Sequence, residues 1–437
     1  MRRVIRVAQA FLPVLLFAPA FAQIRPLDPA AIERVALDEL KSTNTPGAAV
    51  AVISGDRVIF THGYGTSDVE TGAPVSPDML FRLGSTTKMF TAAALVGLAV
   101  EGKVDLDAPV GSYIKGLDPA IARLTANQLL SHTSGLHDEA PMFGSHDESA
   151  LGDGIHKWKA DFLFAPAGRI YSYSNPGFWL AGYLAETVAG KAYADVVGER
   201  IFKPLGMAHS TLRPTMAMTW PLAQGHEVHD GKPQVIHPAA DNASGWPAGS
   251  IFSSANELAK FVIAFMNGSA ALSQKVVSLM SSPHAKIPGS EATYGYGLQL
   301  AVERGVRWVE HGGSRAGYGS NIRMAPDRKF AVIITANRSG SGMPKLADAI
   351  SEMALNLEPA VKKNVPTHPL TPAEIQRYAG TYRNGETVIH LVADNGALRS
   401  GRDRFDRAGE GFLQGATKLV VQDEYLFTGG RSYRRAE

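Results

Sequence analysis

The chain has 437 residues, 45% of them hydrophobic and 19% charged, so it can bury a large core and is long enough for two or more structural units. Its 43 basic and 41 acidic residues leave a formal charge of +2, which carries no nucleic-acid footprint, and the composition excludes a disordered or fibrous chain. Cysteine is absent, which removes disulfides, thiol nucleophiles and lipid attachment through an N-terminal cysteine. No internal repeat or low-complexity tract stands out.

Residues 1–22, MRRVIRVAQAFLPVLLFAPAFA, join three arginines to a short apolar run broken by Pro13 and Pro19 and end on Ala20-Phe21-Ala22. This is the pattern of a secretory signal peptide cleaved after Ala22, and it predicts a periplasmic or secreted protein. Loss of Arg2, Arg3 and Arg6 brings the mature charge to −1. An uncleaved membrane anchor fits the proline-interrupted run less well, and no later segment is apolar for long enough to span a bilayer.

Residues 28–44, DPAAIERVALDELKSTN, have a capping Asp28 before Pro29 and apolar residues at helical spacing, which predicts an amphipathic helix. GAAVAVISGDRVIFTHGYG follows as a β-hairpin turning at Ser54-Gly55-Asp56. FRLGSTTKMFTAAALVGLAV, residues 81–100, then opens with a bend and runs into an apolar helix. Residues 105–245 are mostly short helical patterns between Pro/Gly loops. Strand patterns return after about residue 295, as YGYGLQLAV, VRWVEHGG, GSNIRMA and KFAVIITAN, and a helix at KLADAISEMALNL closes the unit. Strands from both ends of the chain around an inserted helical region predict an α+β fold: an antiparallel sheet flanked by helices, plus an all-α subdomain at about 105–245. The expected domain spans 23–357. Residues 358–372 read as a proline-rich linker, and 373–437, with a turn at Asn395-Gly396, as a small all-β domain built from a curled antiparallel sheet.

Ser85 and Lys88 stand three apart at the mouth of the apolar helix, so their side chains can meet on one face. Burial disfavours the charged amine, and a neutral lysine can take the proton of a serine. A lone S-x-x-K also fits a serine cap followed by a lysine that snorkels to solvent. Tyr173-Ser174-Asn175, in a turn before a helix, can offer a phenol and an amide to a cleft, although by itself it fits a packed tyrosine and a turn asparagine. His311-Gly312-Gly313 ends a strand, where glycines admit a close backbone approach; alone it fits a bulge or turn.

Together, and in this order, these three elements resemble the serine β-lactamase and penicillin-binding protein superfamily, in particular the branch of class C β-lactamases, D,D-peptidases, D-aminopeptidases and family VIII carboxylesterases. LLSHTSGL, IFKPLGM, GWPAGSIFSSANELAKF and YGYGL add to the likeness, which covers about residues 25–357. The resemblance implies Ser85 as acylated nucleophile, Lys88 as its activator and Tyr173 as second proton-transfer residue. It further implies Asn175 orienting Lys88 and contacting substrate, His311 and Gly313 lining the cleft, and the backbone N–H groups of Ser85 and Ser314 as oxyanion hole. One departure matters: where the family usually has Thr or Ser between the first residue and the glycine of the third motif, this chain has Gly312. A hydroxyl that helps hold a substrate carboxylate is missing, and Arg315 is a candidate cation to replace it.

The expected activity is therefore hydrolysis of esters or amides of a small-molecule or peptide-like substrate, as a carboxylesterase or D-amino-acid peptidase, ahead of D,D-carboxypeptidase or β-lactamase. No metal or organic cofactor is expected. Rivals from other classes are a non-catalytic binder of cell-wall peptides, and a protein whose small β domain is the functional part. That domain resembles the lipocalin-like appendage of such hydrolases and is expected to be a stabilising accessory without chemistry. GHEVH, with His226 and His229, lacks the H-E-x-x-H spacing and reads as loop histidines; His132 reads as fixing a turn. Residues 137–162 read as a solvated loop. No G-x-S-x-G occurs, which argues against an α/β-hydrolase elbow.

Overall fold

The computed structural model describes residues 24–361, 365–409, 411–414 and 417–436. The expected signal peptide, 1–22, lies outside them. The main sheet has nine antiparallel strands in the order Ala73–Pro74, Arg57–Asp68, Gly47–Ser54, Phe330–Ala336, Tyr318–Ala325, Val306–Arg315, Gln299–Glu303, Thr293–Tyr294 and Ala285–Lys286. Strands from the two ends of the chain thus pair at its centre, Val50 opposite Ile334.

Side chains alternate between the two faces of Gly47–Ser54, and both faces are covered, which is why the strand is apolar from Ala48 to Ile53. Ala48, Val50 and Val52 pack with Ile32, Ala36 and Leu40 of helix Pro29–Thr43 and with Leu346 and Ile350 of helix Pro344–Ala354. Ala49, Ala51 and Ile53 face the other layer, with Met89 and Phe90 of helix Thr87–Val100 and Phe261 of helix Ala255–Asn267. Asp28 caps the first helix as its sequence predicts, accepting from the amides of Ala30 and Ala31. Helix Thr87–Val100 is apolar all round because helices cover it too, among them Asn175–Ala189.

Residues 105–245 are not purely helical: a two-stranded hairpin, His226–His229 with Lys232–Val235, lies among the helices. His226 and His229 therefore sit on a strand rather than in a loop, and the buried His226 ring is held by the Asn337 carbonyl and the Val69 amide. The expected linker also carries structure, since Thr367–His368 adds an edge strand to Asp403–Ala408.

Beyond it, eight antiparallel strands from Gly380–Asn384 to Arg431–Arg435 close into a barrel, the first pairing with the last. Each strand sends one large residue inward: Tyr382, Leu391, Leu398, Phe405, Phe412, Leu419, Leu426 and Tyr433. The interior is a filled core. A second apolar patch, Tyr171 and Tyr294 against Val420 and Phe427, seats the barrel on the larger domain beside a cleft. Among the described residues no helix is long and apolar enough to cross a membrane.

Candidate active site

Ser85 lies in a single tight turn, Gly84–Thr86, that runs directly into helix Thr87–Val100. The turn is pressed onto strand Val306–Arg315, and two glycines make that possible. Gly84 has φ +58°, and a Cβ there would stand 2.6 Å from the Ser314 nitrogen. A Cβ on Gly313 would stand 1.8 Å from the Leu83 carbonyl oxygen. Ser320, opposite Gly313 in the sheet, uses the space so left to donate to Leu83 O at 2.6 Å and to meet Thr86 Oγ1 at 2.5 Å. The backbone of Ser314 is thereby set against the Ser85 turn.

Lys88 is fully buried. Its Nζ lies 3.2 Å from Ser85 Oγ and donates to Asn175 Oδ1 at 2.7 Å and to the Ala248 carbonyl at 2.8 Å. The carbonyl is fixed by two threonines of the lysine's own helix: Thr91 donates to Pro247 O, and Thr87 accepts from the Ile251 amide. Burial pushes Lys88 down to about 7, with Asp138 pulling it up and Arg431 down. A neutral amine has two N–H bonds and one lone pair. Because Asn175 Oδ1 and Ala248 O only accept, the lone pair is left for the Ser85 hydroxyl.

Tyr173 completes the group, its ring 4.7 Å from Lys88 Nζ. Burial raises its phenol well above the ordinary value, with the hydrogen bond to Ser85 opposing only in part. It is a proton donor at neutral pH, not a phenolate. His132 packs its ring 4.2 Å from that of Tyr173, has φ +59° and accepts from the Ser174 amide, so it fixes the turn and backs the phenol. Burial holds it neutral.

His311 is buried on its strand, with Tyr294 Oη 2.8 Å from Nε2 and the Gly312 carbonyl 2.6 Å from Nδ1. Burial, then the charge of Lys88, lowers it to about 3. It presents a neutral ring where a lysine in the same motif position would present a cation. Arg315 lines one lobe of the cleft but is not a free cation there: it is largely buried, donates to the Gly249 and Ala240 carbonyls, and lies 3.8 Å from Asp241, which Arg82 also holds.

The cleft has two lobes of about 780 and 670 Å3. Ser85, Tyr173, Ser314 and Arg431 line both, so the serine stands where the lobes meet. One lobe runs along His311, Gly312 and Gly313 towards Glu310 and Arg323; the other is walled by Asp138, Asn175, Trp179 and Asn242.

All seven residues singled out in the sequence, Ser85, Lys88, Tyr173, Asn175, His311, Gly313 and Ser314, thus gather around one point. Two that were not singled out join them. Asp138 lies in the stretch 137–162 expected to be a solvated loop, yet its side chain is only 5% exposed, because Asn175 and Arg431 cover it. Arg431 comes from the barrel, which was expected to contribute no chemistry but forms a wall of the cleft. Neither carried a spacing signal: Asp138 reaches the site by folding back onto Asn175 within its own domain, and Arg431 by docking of the barrel.

A profile of the family described as Beta-lactamase matches residues 32–356. The chain belongs to the beta-lactamase family, a family of serine hydrolases built on this fold. Among curated relatives it is 29% identical over 433 residues to "Unguisins hydrolase ungD" of Aspergillus violaceofuscus (strain CBS 115571), a match covering 83% of this chain and 76% of the relative. It is 24% identical to "Protein flp" of Staphylococcus aureus (strain NCTC 8325 / PS 47) over 74% of this chain and 66% of that protein, just under two thirds of its length. Among solved structures, SurE matches with a TM-score of 0.76 at 25% identity, over 93% of this chain and 98% of SurE, and so includes the barrel. The octameric penicillin-binding protein homologue from Pyrococcus abyssi matches at 0.66 and 24% identity, over 93% of this chain and 99% of that one. The D-alanine carboxypeptidase AmpC from Burkholderia cenocepacia matches at 0.62 and 21%, over 74% of this chain and 98% of its own.

Proposed function

We propose that the protein is an exported serine hydrolase that cleaves ester or amide bonds through an acyl-Ser85 intermediate, of carboxylesterase or D-amino-acid peptidase type. The observation that carries this reading is the Lys88 amine, buried, with two acceptors for its two protons and its lone pair turned to Ser85. Lys88 takes the Ser85 proton as Oγ attacks the carbonyl. The backbone N–H groups of Ser85 and Ser314 meet the oxyanion, close to the positive end of helix Thr87–Val100. Tyr173 gives its proton to the leaving oxygen or nitrogen and regains one from Lys88. Water then attacks the acyl carbonyl, the same pair takes its proton, and Ser85 Oγ is reprotonated as the acid departs. Export to the periplasm or medium rests on residues 1–22.

The substrate preference rests on Gly312. A Cβ there would meet only the Ser320 carbonyl, at 3.8 Å, so the missing hydroxyl is a chemical choice rather than a steric necessity. Gly312→Ser is expected to fold with unchanged melting temperature and to raise the rate on a carboxylate-bearing β-lactam relative to a neutral ester, read as the ratio of the two kcat/KM values. An unchanged ratio removes the hydroxyl from the account of specificity.

The test of the reading is intact-mass labelling of the mature chain with a fluorophosphonate, alongside turnover of a p-nitrophenyl ester, a D-alanyl anilide and a chromogenic cephalosporin. One label on the wild type, none on Ser85→Ala, and turnover of the ester or anilide ahead of the cephalosporin is the expected result. An unlabelled protein that turns over none of the three would instead favour a binder of cell-wall peptides.

A further inference from the structure

The Asn175 amide has one face on Lys88 and the other on Asp138. Asp138 Oδ1 accepts from the Asn175 backbone N–H at 2.7 Å and from its Nδ2 at 3.0 Å. A carboxylate only accepts, so it dictates which end of the amide faces it: Nδ2 turns to Asp138 and Oδ1 is left for Lys88. Without that anchor the amide is free to rotate by half a turn and offer Lys88 a donor instead of an acceptor.

Asp138 is itself held from the barrel. Its Oδ2 accepts from Arg431 Nε at 2.5 Å and from Nη2 of the same guanidinium. Its backbone N–H donates to Asn384 Oδ1 at 3.1 Å, and Asn384 donates in turn to the Ser432 carbonyl at 2.7 Å. The same barrel hairpins grip the Tyr173 segment: the Tyr173 N–H donates to Gly430 O at 3.0 Å, and Ser432 Oγ donates to the Tyr171 carbonyl at 2.8 Å. Two sides of the site, the 137–139 stretch and residues 171–175, are thus fastened to the ends of two neighbouring barrel strands, Gly380–Asn384 and Arg431–Arg435.

We propose that Asp138 is a positioning residue for Lys88, acting through the Asn175 amide, and that Arg431 of the C-terminal barrel completes this relay, so that the barrel is part of the machinery. The proposal rests on the serine-hydrolase reading above and adds to it what sets the lysine's state. Around Lys88 the titratable and charged groups are Tyr173, His132 and His311, with Asp138 and Arg431 behind Asn175. Both histidines are held neutral by burial, so the ion pair is the charge that bears on the amine, Asp138 favouring its charged form and Arg431 opposing it.

The experiment compares full-length wild type, Asp138→Asn, Arg431→Gln and Arg431→Lys. Two quantities are followed: the pH profile of kcat/KM on a neutral ester without a carboxylate, and the titration of Lys88 by 15N NMR, which needs no substrate. Asp138→Asn leaves the guanidinium uncompensated, and the Lys88 titration and acidic limb move to lower pH. Arg431→Gln leaves the carboxylate uncompensated, and both move to higher pH. Each shift is on the order of half a unit. Asp138→Asn also lowers kcat roughly 10-fold through the unanchored amide. Arg431→Lys restores the wild-type limb.

Opposite displacements support the relay; damage to folding would lower rates without them. Shifts of equal sign, or none, reduce Asp138 and Arg431 to a clamp between domains and overturn the proposal. A change confined to KM makes Arg431 a substrate contact and overturns it as well. If the NMR shifts run in opposite directions while no variant and no wild type turns over any ester, the relay stands and the hydrolase reading falls.

Discussion

Lys88→Met is expected to abolish acylation of Ser85, with the labelling rate by a fluorophosphonate falling roughly 10^3-fold, the range that a positioned general base supplies. Methionine matches the length of the lysine stem and stays in an apolar setting, next to Phe178 and the Tyr173 ring. The loss therefore reports the missing lone pair rather than a collapsed pocket. In the wild type the same amine makes kcat/KM rise as pH climbs through about 7, since only neutral Lys88 can take the serine proton. A rate flat between pH 5 and 9 would remove Lys88 from the role of base.

The same substitution has a thermodynamic signature of fixed sign. Burial lowers the folded-state pKa of Lys88 from 10.5 to about 7, so between these values the unfolded chain binds more protons than the folded one. Below about pH 7 the burial penalty is fully present, and it shrinks as pH rises towards the unfolded value. Methionine has no such penalty but leaves Asn175 Oδ1 and Ala248 O without a donor. The net offset at any one pH depends on both effects. The slope does not: the melting temperature of Lys88→Met minus that of the wild type should fall steadily from pH 7 to pH 10. A difference that is constant with pH would mean that Lys88 keeps its proton in the folded state.

How far the sequence foretells this molecule depends on the range of the interaction concerned. Asp28 before Pro29, the β-prone run at 47–54 ahead of the Ser54-Gly55-Asp56 turn and the spacing of Ser85 and Lys88 are local, and each is legible as a cap, a strand or a shared helix face. The central pairing of Gly47–Ser54 with Phe330–Ala336 is distant, yet it follows from strands at both ends of the chain around a helical insert. The barrel also left a trace: Leu391, Leu398, Phe405, Phe412, Leu419, Leu426 and Tyr433 recur every seven residues, one per strand. That repeat escapes a search for long periods and explains why a closed barrel reads from sequence only as a curled sheet.

The contribution of the barrel to the site had no such trace. Arg431 follows Gly429-Gly430 and reads as a hairpin corner; Asp138 reads as the start of a polar loop. Arg431 takes its meaning from Tyr171 and Tyr294 packing on Val420 and Phe427, and Asp138 from folding back onto Asn175, contacts that no short-range pattern encodes. His226 and His229, read as loop histidines, prove instead to lie on a hairpin strand, with the His226 ring tied to the Asn337 carbonyl. Ser85, Tyr173 and His311 are legible because each sits in a short motif of its own element, whereas Asp138 and Arg431 stand in no motif and are defined only by their partners in the folded chain.

Gly313→Ala is expected to combine a loss of stability of about 1–3 kcal/mol with a fall of roughly 100-fold in the rate of Ser85 labelling. The added methyl would stand 1.8 Å from the Leu83 carbonyl, 2.3 Å from Ser320 Oγ and 2.9 Å from Thr86 Oγ1. Two of these atoms form the hydrogen bond that ties the Ser85 turn to the sheet, so relief of the clash must lift the turn away from the strand. The lift separates the backbone N–H groups of Ser85 and Ser314, and an oxyanion bound between them loses one donor. Gly312→Ala is the control, one residue along the same strand: its methyl meets only a carbonyl at 3.8 Å, and neither melting temperature nor labelling rate should change. Gly313→Ala with wild-type labelling would show that the turn does not need to press on the strand, and Ser314 would then be no part of the oxyanion hole. If instead both alanines slow the reaction alike, the glycines serve the approach of substrate along the strand rather than the packing beneath the serine.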